Sequence, residues 1–276
     1  MFYSKNSYNF KFFYKLLAIF LILGNLIFSI TFIFINCLNT KGNGHIIGYY
    51  DNNPLYTHDL LDAIITYFFY FTIESNILVL IWFIFSIFFP KYEGQRKYFF
   101  LSPITTLFLT IYILNTMIIF LTILLPSDYN KLTKLDWLKT MIFHVVSPLM
   151  FIFYVFFFYK FEPFNQKTKS LIKSKIFFKD HFWKIYFFPV FYLIINFIRS
   201  IIRLNYHSLI ETRNDFYYVK YHSAFLYPFL DWRKKLFNIP GLYTAMMIIA
   251  IFVISSVVLI LFYKIFQFKQ LKYNLK

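Results

Sequence analysis

Apolar residues run along this chain in six long stretches, near 12-36, 60-89, 101-125, 137-159, 182-204 and 241-266, separated by segments where Lys, Asp, Asn and Pro gather. Each stretch holds at least the roughly 20 helical residues that cross a hydrocarbon core of about 30 Å. No repeat with a period of roughly 20–50 residues is evident, which removes support for an inverted-repeat transporter architecture. The pattern predicts an all-α, polytopic membrane protein: one bundle of six transmembrane helices over 1-276, with a basic loop at 160-184 and an outer segment at 205-240. The first stretch follows Lys5, Lys11 and Lys15 like a signal peptide. Its apolar core exceeds an h-region of about 7–15 residues and no A-x-A site follows, so it reads as a membrane helix.

Composition sharpens that picture. Hydrophobic residues make up 59% of the chain and charged residues 14%, with a mean hydropathy of +0.59. Ordinary soluble domains sit near ~45–50% and ~25%, so a soluble, disordered or disulfide-stapled protein is excluded. Cys37 is the single cysteine, and the six histidines show no zinc-ligand spacing, so no metal or other cofactor is indicated. Cys37 itself reads as an ordinary buried or interfacial thiol. The net charge of +16 is carried between the apolar stretches, where it suits anionic lipid headgroups instead of nucleic acid.

Lys and Arg also orient the chain. The segments on the N-terminal side carry 17 of them against 11 in the alternate loops, which predicts a multi-pass protein of the cell membrane with both termini cytoplasmic. Arg233, Lys234 and Lys235 run against that assignment. The Lys-rich stretch 160-184 fits an amphipathic segment on the inner leaflet or a solvated loop. Gly42, Gly44 and Gly48 follow a membrane helix instead of a strand, so they read as an outer loop and not a phosphate-binding turn.

Inside a bilayer the informative residues are polar, because an unpaired polar group there costs several kcal/mol. Thr72, Ser75 and Asn76 share one helical face, while Glu74 lies about 200° from Thr72 and points elsewhere. They either line a site or pack one helix on another. In the fourth helix, Pro148 lacks an N–H and deprives the carbonyl of His144 of its helical partner, which predicts a kink with His144 and Ser147 on its open side. His144 is a natural base at neutral pH or a packing histidine bonded to a carbonyl. Tyr192, Asn196, Arg199 and Arg203 form one stripe on the fifth helix. Tyr227-Pro228-Phe229-Leu230-Asp231 precedes the sixth, and its carboxylate is the expected partner of Arg199. With the orientation above, these clusters fall in the outer half of the bilayer and suggest one site.

The motifs F-T-I-E-S-N at 71-76, H-V-V-S-P-L at 144-149, Y-L-I-I-N-F-I-R at 192-199 and Y-P-F-L-D at 227-231 come in one order on matching helices. In this the chain resembles bacterial six-helix membrane proteins that look related to the androgen-induced-gene-like membrane hydrolases, over about residues 60 to 265. Animal members of that family cleave fatty-acid esters of hydroxy fatty acids with an intramembrane threonine and histidine. The resemblance implies Thr72 as nucleophile, His144 as its base and a fatty-acyl ester substrate drawn from the membrane lipids. Asn76, Ser75 or Arg199 could then donate to the oxyanion, with Ser147, Asn196 and Asp231 as support. Two features depart from the family: the outer segment 205-226, with His207 and His222, is longer than expected, and Glu74 adds a carboxylate. Besides a threonine-dependent lipid ester hydrolase, the residues admit a small-molecule or proton-coupled transporter using Glu74, His144 and Arg199. They also admit a non-catalytic lipid-binding membrane protein.

Overall fold

The computed structural model describes residues 5–39, 60–95, 97–128, 133–159, 182–208 and 225–274. Helix α1 is Lys5–Asn39, α2 Leu60–Phe68, α3 Phe71–Phe88, α4 Pro103–Ile119 and α5 Leu125–Asp128. Then come α6 Lys134–Met141, α7 Ser147–Phe157, α8 Phe187–Ser208 and α9 Leu242–Asn274. Six runs are long and apolar enough to cross a membrane: Asn9–Ile35, Phe71–Phe88, Pro103–Leu124, Lys134–Phe157, Trp183–Ile202 and Leu242–Ile265. The chain is an all-α, multi-pass integral membrane protein. Among the described residues strand pairing is confined to a hairpin of Lys235–Leu236 with Ile239–Pro240, turned by Phe237 and Asn238 at φ 50° and 63°. Positive φ at both central positions is what a tight hairpin turn requires.

Helix α4 packs against α3, α7 and α9, and α1 lies across α3 and α7. The start of α4 is set locally: Pro103 occupies its first turn and the Ser102 hydroxyl accepts the Thr105 N–H. Where α3 meets α7, the fully buried rings of Trp82, Phe83, Phe151 and Tyr154 interlock edge to face, with Trp82–Phe151 centroids 5.2 Å and Phe83–Tyr154 5.6 Å apart. In lipid, apolar burial gives little drive to join helices, so such shape complementarity and interhelical hydrogen bonds hold the bundle. The Trp82 indole N–H donates to the Thr106 hydroxyl at 3.1 Å, and the Tyr159 hydroxyl donates to the Leu101 carbonyl at 2.9 Å. Phe20, Phe187 and Ile249 face outward, as lipid contact demands.

Three backbone features depart from plain helices. The stretch 60-89 is not one helix: Tyr70 is extended, at φ −72° and ψ 128°, and its carbonyl accepts the Ile73 and Glu74 N–H groups to restart the helix as α3. Neither Pro nor Gly stands there. The break is tertiary, since Tyr70 packs on Tyr227 at 5.5 Å and Phe71 on Tyr192 at 5.1 Å. Between α6 and α7, and again between α4 and α5, the helix widens into a π-turn, at Ile142–Val146 and Phe120–Leu124. Each precedes a proline by two residues, Pro148 and Pro126. At Pro148, where a kink was expected, the backbone widens into a π-turn that accommodates the ring and the missing N–H.

At the end of the bundle where α3 stops, a charged group locks α1 in place. Lys15, 5% exposed, lies 2.7 Å from the Glu93 carboxylate and donates to the Ser86 carbonyl at 2.9 Å. The Tyr154 hydroxyl donates to Glu93 at 2.7 Å, and Lys11 donates to the Phe158 carbonyl at 2.7 Å. Each charge in this cluster is met by an opposite charge or a hydrogen bond, which offsets its desolvation.

Candidate active site

The Ile142–Val146 π-turn shapes the site. Ser147 N–H reaches back to the Ile142 carbonyl, one residue beyond its helical partner, which frees the Phe143 carbonyl. Asn76 fills that vacancy: its amide donates to Phe143 O at 3.1 Å and to Thr72 O at 2.8 Å. One side chain thus ties the turn to the first turns of α3 and holds His144 beside Thr72.

His144 Nε2 lies 3.1 Å from the Thr72 hydroxyl, and its Nδ1 lies 3.0 Å from the Thr140 carbonyl. A carbonyl oxygen only accepts, so Nδ1 carries the proton and Nε2 is the acceptor. The Thr72 O–H therefore donates to His144. This is the relation of nucleophile, base and orienting group, with a backbone carbonyl in the third place. The Phe120 ring, from the other π-turn, stacks on the imidazole at 4.3 Å and fixes its plane. Thr72 is buried, whereas His144 is partly exposed on a stretch where Val146 and Leu149 face outward.

On its other side Thr72 meets Tyr227, whose phenol lies close to the Thr72 side chain and backbone N–H. Burial pushes the Tyr227 phenol well above its ordinary value, so it stays a neutral O–H. The Tyr192 ring stands beside Phe71, and its buried hydroxyl has no hydrogen-bond partner among the described residues.

Thr72, Ser75 and Asn76 do share a face and are buried together with His144's neighbour Ser147. Their chemistry differs from the expectation, however. Both Asn76 N–H groups are taken by carbonyls, and the Ser75 hydroxyl donates to Thr72 O at 3.0 Å, so neither is available to an oxyanion. The Ser147 hydroxyl is buried without a partner among the described residues. Asn196 donates to the Tyr192 carbonyl at 3.0 Å and, with Ser200, lines a cavity of about 10 Å³ between α8 and Leu226 and Leu230. That is room for about one water.

The expected Arg199–Asp231 pair does not form. Asp231 accepts from Arg233 at 2.8 and 3.0 Å, and Arg199 donates to the Thr66 hydroxyl at 3.1 Å and faces the Phe69 ring at 5.7 Å. A partner two residues away costs far less chain ordering than one on another helix. Arg199 thus braces α2 on α8 instead of reaching Thr72.

Tyr192 was placed on the fifth-helix stripe and Tyr227 in the segment before the sixth helix, neither with a role of its own, and the Lys15–Glu93–Tyr154 cluster was not singled out from the sequence. Tyr227 opens the Y-P-F-L-D motif, which was the available signal, and Lys15 lies inside the first apolar stretch, where a cation needs a partner. The glycines at 42-48, most of the basic stretch 160-184 and His222 lie outside the described residues, as do the side chains of Cys37, Arg203 and His207. Among the described residues no group of three or more His, Cys, Asp or Glu gathers as metal ligands would. No protein family, curated protein or solved structure matches the chain.

Proposed function

We propose that the protein is a threonine-dependent hydrolase of fatty-acyl esters, working within the cell membrane with both termini in the cytoplasm. The observation that carries this reading is the Thr72–His144 hydrogen bond with the imidazole proton held on the far nitrogen. A threonine hydroxyl is a poor nucleophile until a base takes its proton, and here the base is already oriented. The resemblance to the androgen-induced-gene-like hydrolases points to the same two residues.

In this mechanism Thr72 Oγ1 attacks the ester carbonyl as its proton passes to His144 Nε2. The new C–O bond places the carbonyl electron pair on oxygen. When the tetrahedral intermediate collapses, the ester C–O bond breaks and His144 returns the proton to the leaving alkoxide. Water, deprotonated by the same nitrogen, then attacks the acyl-threonine; the bond between the acyl carbon and Thr72 Oγ1 breaks, His144 returns the proton to Thr72 Oγ1, and the fatty acid leaves. Val146 and Leu149 beside the base face the lipid phase, which suits entry of an acyl chain sideways from the bilayer.

The test is hydrolysis of a fluorogenic fatty-acyl ester by the purified protein in phospholipid nanodiscs. The proposal expects turnover that Thr72→Ser retains in part and Thr72→Val removes. Turnover that survives Thr72→Val would place the chemistry elsewhere, and its absence in well-folded wild type across short and long acyl chains would count against an esterase.

A further inference from the structure

Acyl transfer needs hydrogen-bond donors where negative charge develops on the substrate oxygen. Asn76, Ser75 and Arg199 are engaged elsewhere, as their partners above establish. The donors within reach of Thr72 lie on the opposite wall. The break at Phe69–Tyr70 makes Thr72 the second residue of α3, before the helix's own bonding starts at Ile73 and Glu74. Its N–H therefore points out of the helix and is met by Tyr227.

Tyr227 is held from several sides. Its ring stands edge-on to Tyr70 at 5.5 Å and stacks on Phe229 at 5.1 Å, and its phenol contacts Thr72 through both side chain and backbone. Because Thr72 O–H already donates to His144, the Tyr227 phenol is the hydroxyl of the two left to act as a donor. Tyr192, 7% exposed, packs edge-on to Phe71 at 5.1 Å, and its hydroxyl lies within electrostatic range of Tyr227, Tyr70 and Glu74. That hydroxyl is buried with no partner among the described residues. A buried donor left unsatisfied is costly unless something else fills its place during function.

We propose that the phenols of Tyr227 and Tyr192 form the oxyanion site of the Thr72 acyl-transfer reaction, with Tyr227 turning its proton from Thr72 Oγ1 to the substrate oxygen as attack proceeds and Tyr192 adding the second donor. The inference rests on the hydrolase reading above. It makes Tyr227 and Tyr192 catalytic residues, since both touch the reacting carbonyl oxygen. No proton leaves either phenol, and His144 alone carries the transferred proton.

Full-length protein in nanodiscs is compared as wild type, Tyr227→Phe and Tyr192→Phe with a fluorogenic fatty-acyl ester. Two inhibitors are added: an acyl trifluoromethyl ketone, which forms a tetrahedral adduct, and the matching ether, which cannot. The expected result is a kcat loss of about 10²–10³-fold for Tyr227→Phe and a smaller one for Tyr192→Phe, with KM within about twofold. Ketone affinity falls in parallel while ether affinity holds. Tyr192→Phe also keeps or raises its melting temperature, because the hydroxyl removed has no partner to lose among the described residues. Wild-type kcat in both variants overturns the proposal, and so does an equal loss of ketone and ether affinity, which marks a packing role. A wild type with no turnover dependent on Thr72 defeats the underlying hydrolase reading instead, a result distinct from active wild type with unaffected tyrosine variants.

Discussion

The two polar centres of this bundle are opposites. At one end Lys15, Glu93, Tyr154 and the Ser86 carbonyl form a closed set in which each charge is answered. At the other, Thr72 and His144 share a hydrogen bond beside Tyr227, yet the Tyr192 hydroxyl, the Ser147 hydroxyl and the Asn76 carbonyl oxygen remain buried without partners among the described residues. The backbone differs likewise. Lys15, Ser86 and Tyr154 sit on regular helix and Glu93 on the turn after Tyr92, whereas Thr72 follows a helix break and His144 lies in a π-turn. A closed set serves stability, and an open set at a helix break and a widened turn is a common setting for function.

The contrast breaks hardest at the Thr72 end. Thr72→Ala or His144→Ala should lower ester hydrolysis by about 10⁴-fold or more while leaving the melting temperature within a few degrees, since members of one catalytic unit fail together. At the other end the sign reverses. Lys15→Met strands the buried Glu93 carboxylate and should cost about 3–5 kcal/mol in SDS unfolding, with activity per folded molecule unchanged. The double variant Lys15→Met, Glu93→Leu should recover most of that loss, because the charge left behind is what costs, and a double-mutant cycle measures the recovery.

A smaller effect sharpens how backbone and site are joined. Asn76→Ala removes both donors that bind the Phe143 and Thr72 carbonyls, so it should cost about 1–3 kcal/mol and slow hydrolysis as the π-turn relaxes. Asn76→Gln moves the amide one carbon away and should not rescue it. The smallest effect is at Ser147: Ser147→Ala removes a hydroxyl without a partner and should change thermal stability by less than about 1 kcal/mol, in the stabilising direction.

Much of the architecture was legible because lipid imposes it. A stretch of 20 or so apolar residues must become a helix to satisfy its own backbone, and the six spans follow from that rule. The break at Phe69–Tyr70 was not legible, since no Pro or Gly marks it and its cause is aromatic packing against Tyr227 and Tyr192 from elsewhere in the chain. Pro148 signalled a disturbance but not its form: a kink and a π-turn both answer a missing N–H.

Of the site, the pairing of Thr72 with His144 was expected from motif resemblance, while the residues alone also admitted helix packing. Asn76 and Ser75 looked like donors because their side chains carry protons. Their bonds to carbonyls on their own helix, three and four residues back, are local choices that a helical wheel does not display. Asp231 looked like Arg199's partner until the turn after Leu230 brought Arg233 to it. Tyr227 was read as part of a motif, with its carboxylate neighbour taking the attention that belonged to the phenol.

The most direct test of the central claim is covalent labelling of the purified, folded protein by a fatty-acyl phosphonate probe, with the labelled residue located by mass spectrometry. The account predicts an adduct on Thr72, lost in Thr72→Ala and slowed at least tenfold in His144→Ala at matched folding. An adduct on another residue, or none on well-folded wild type, would contradict it.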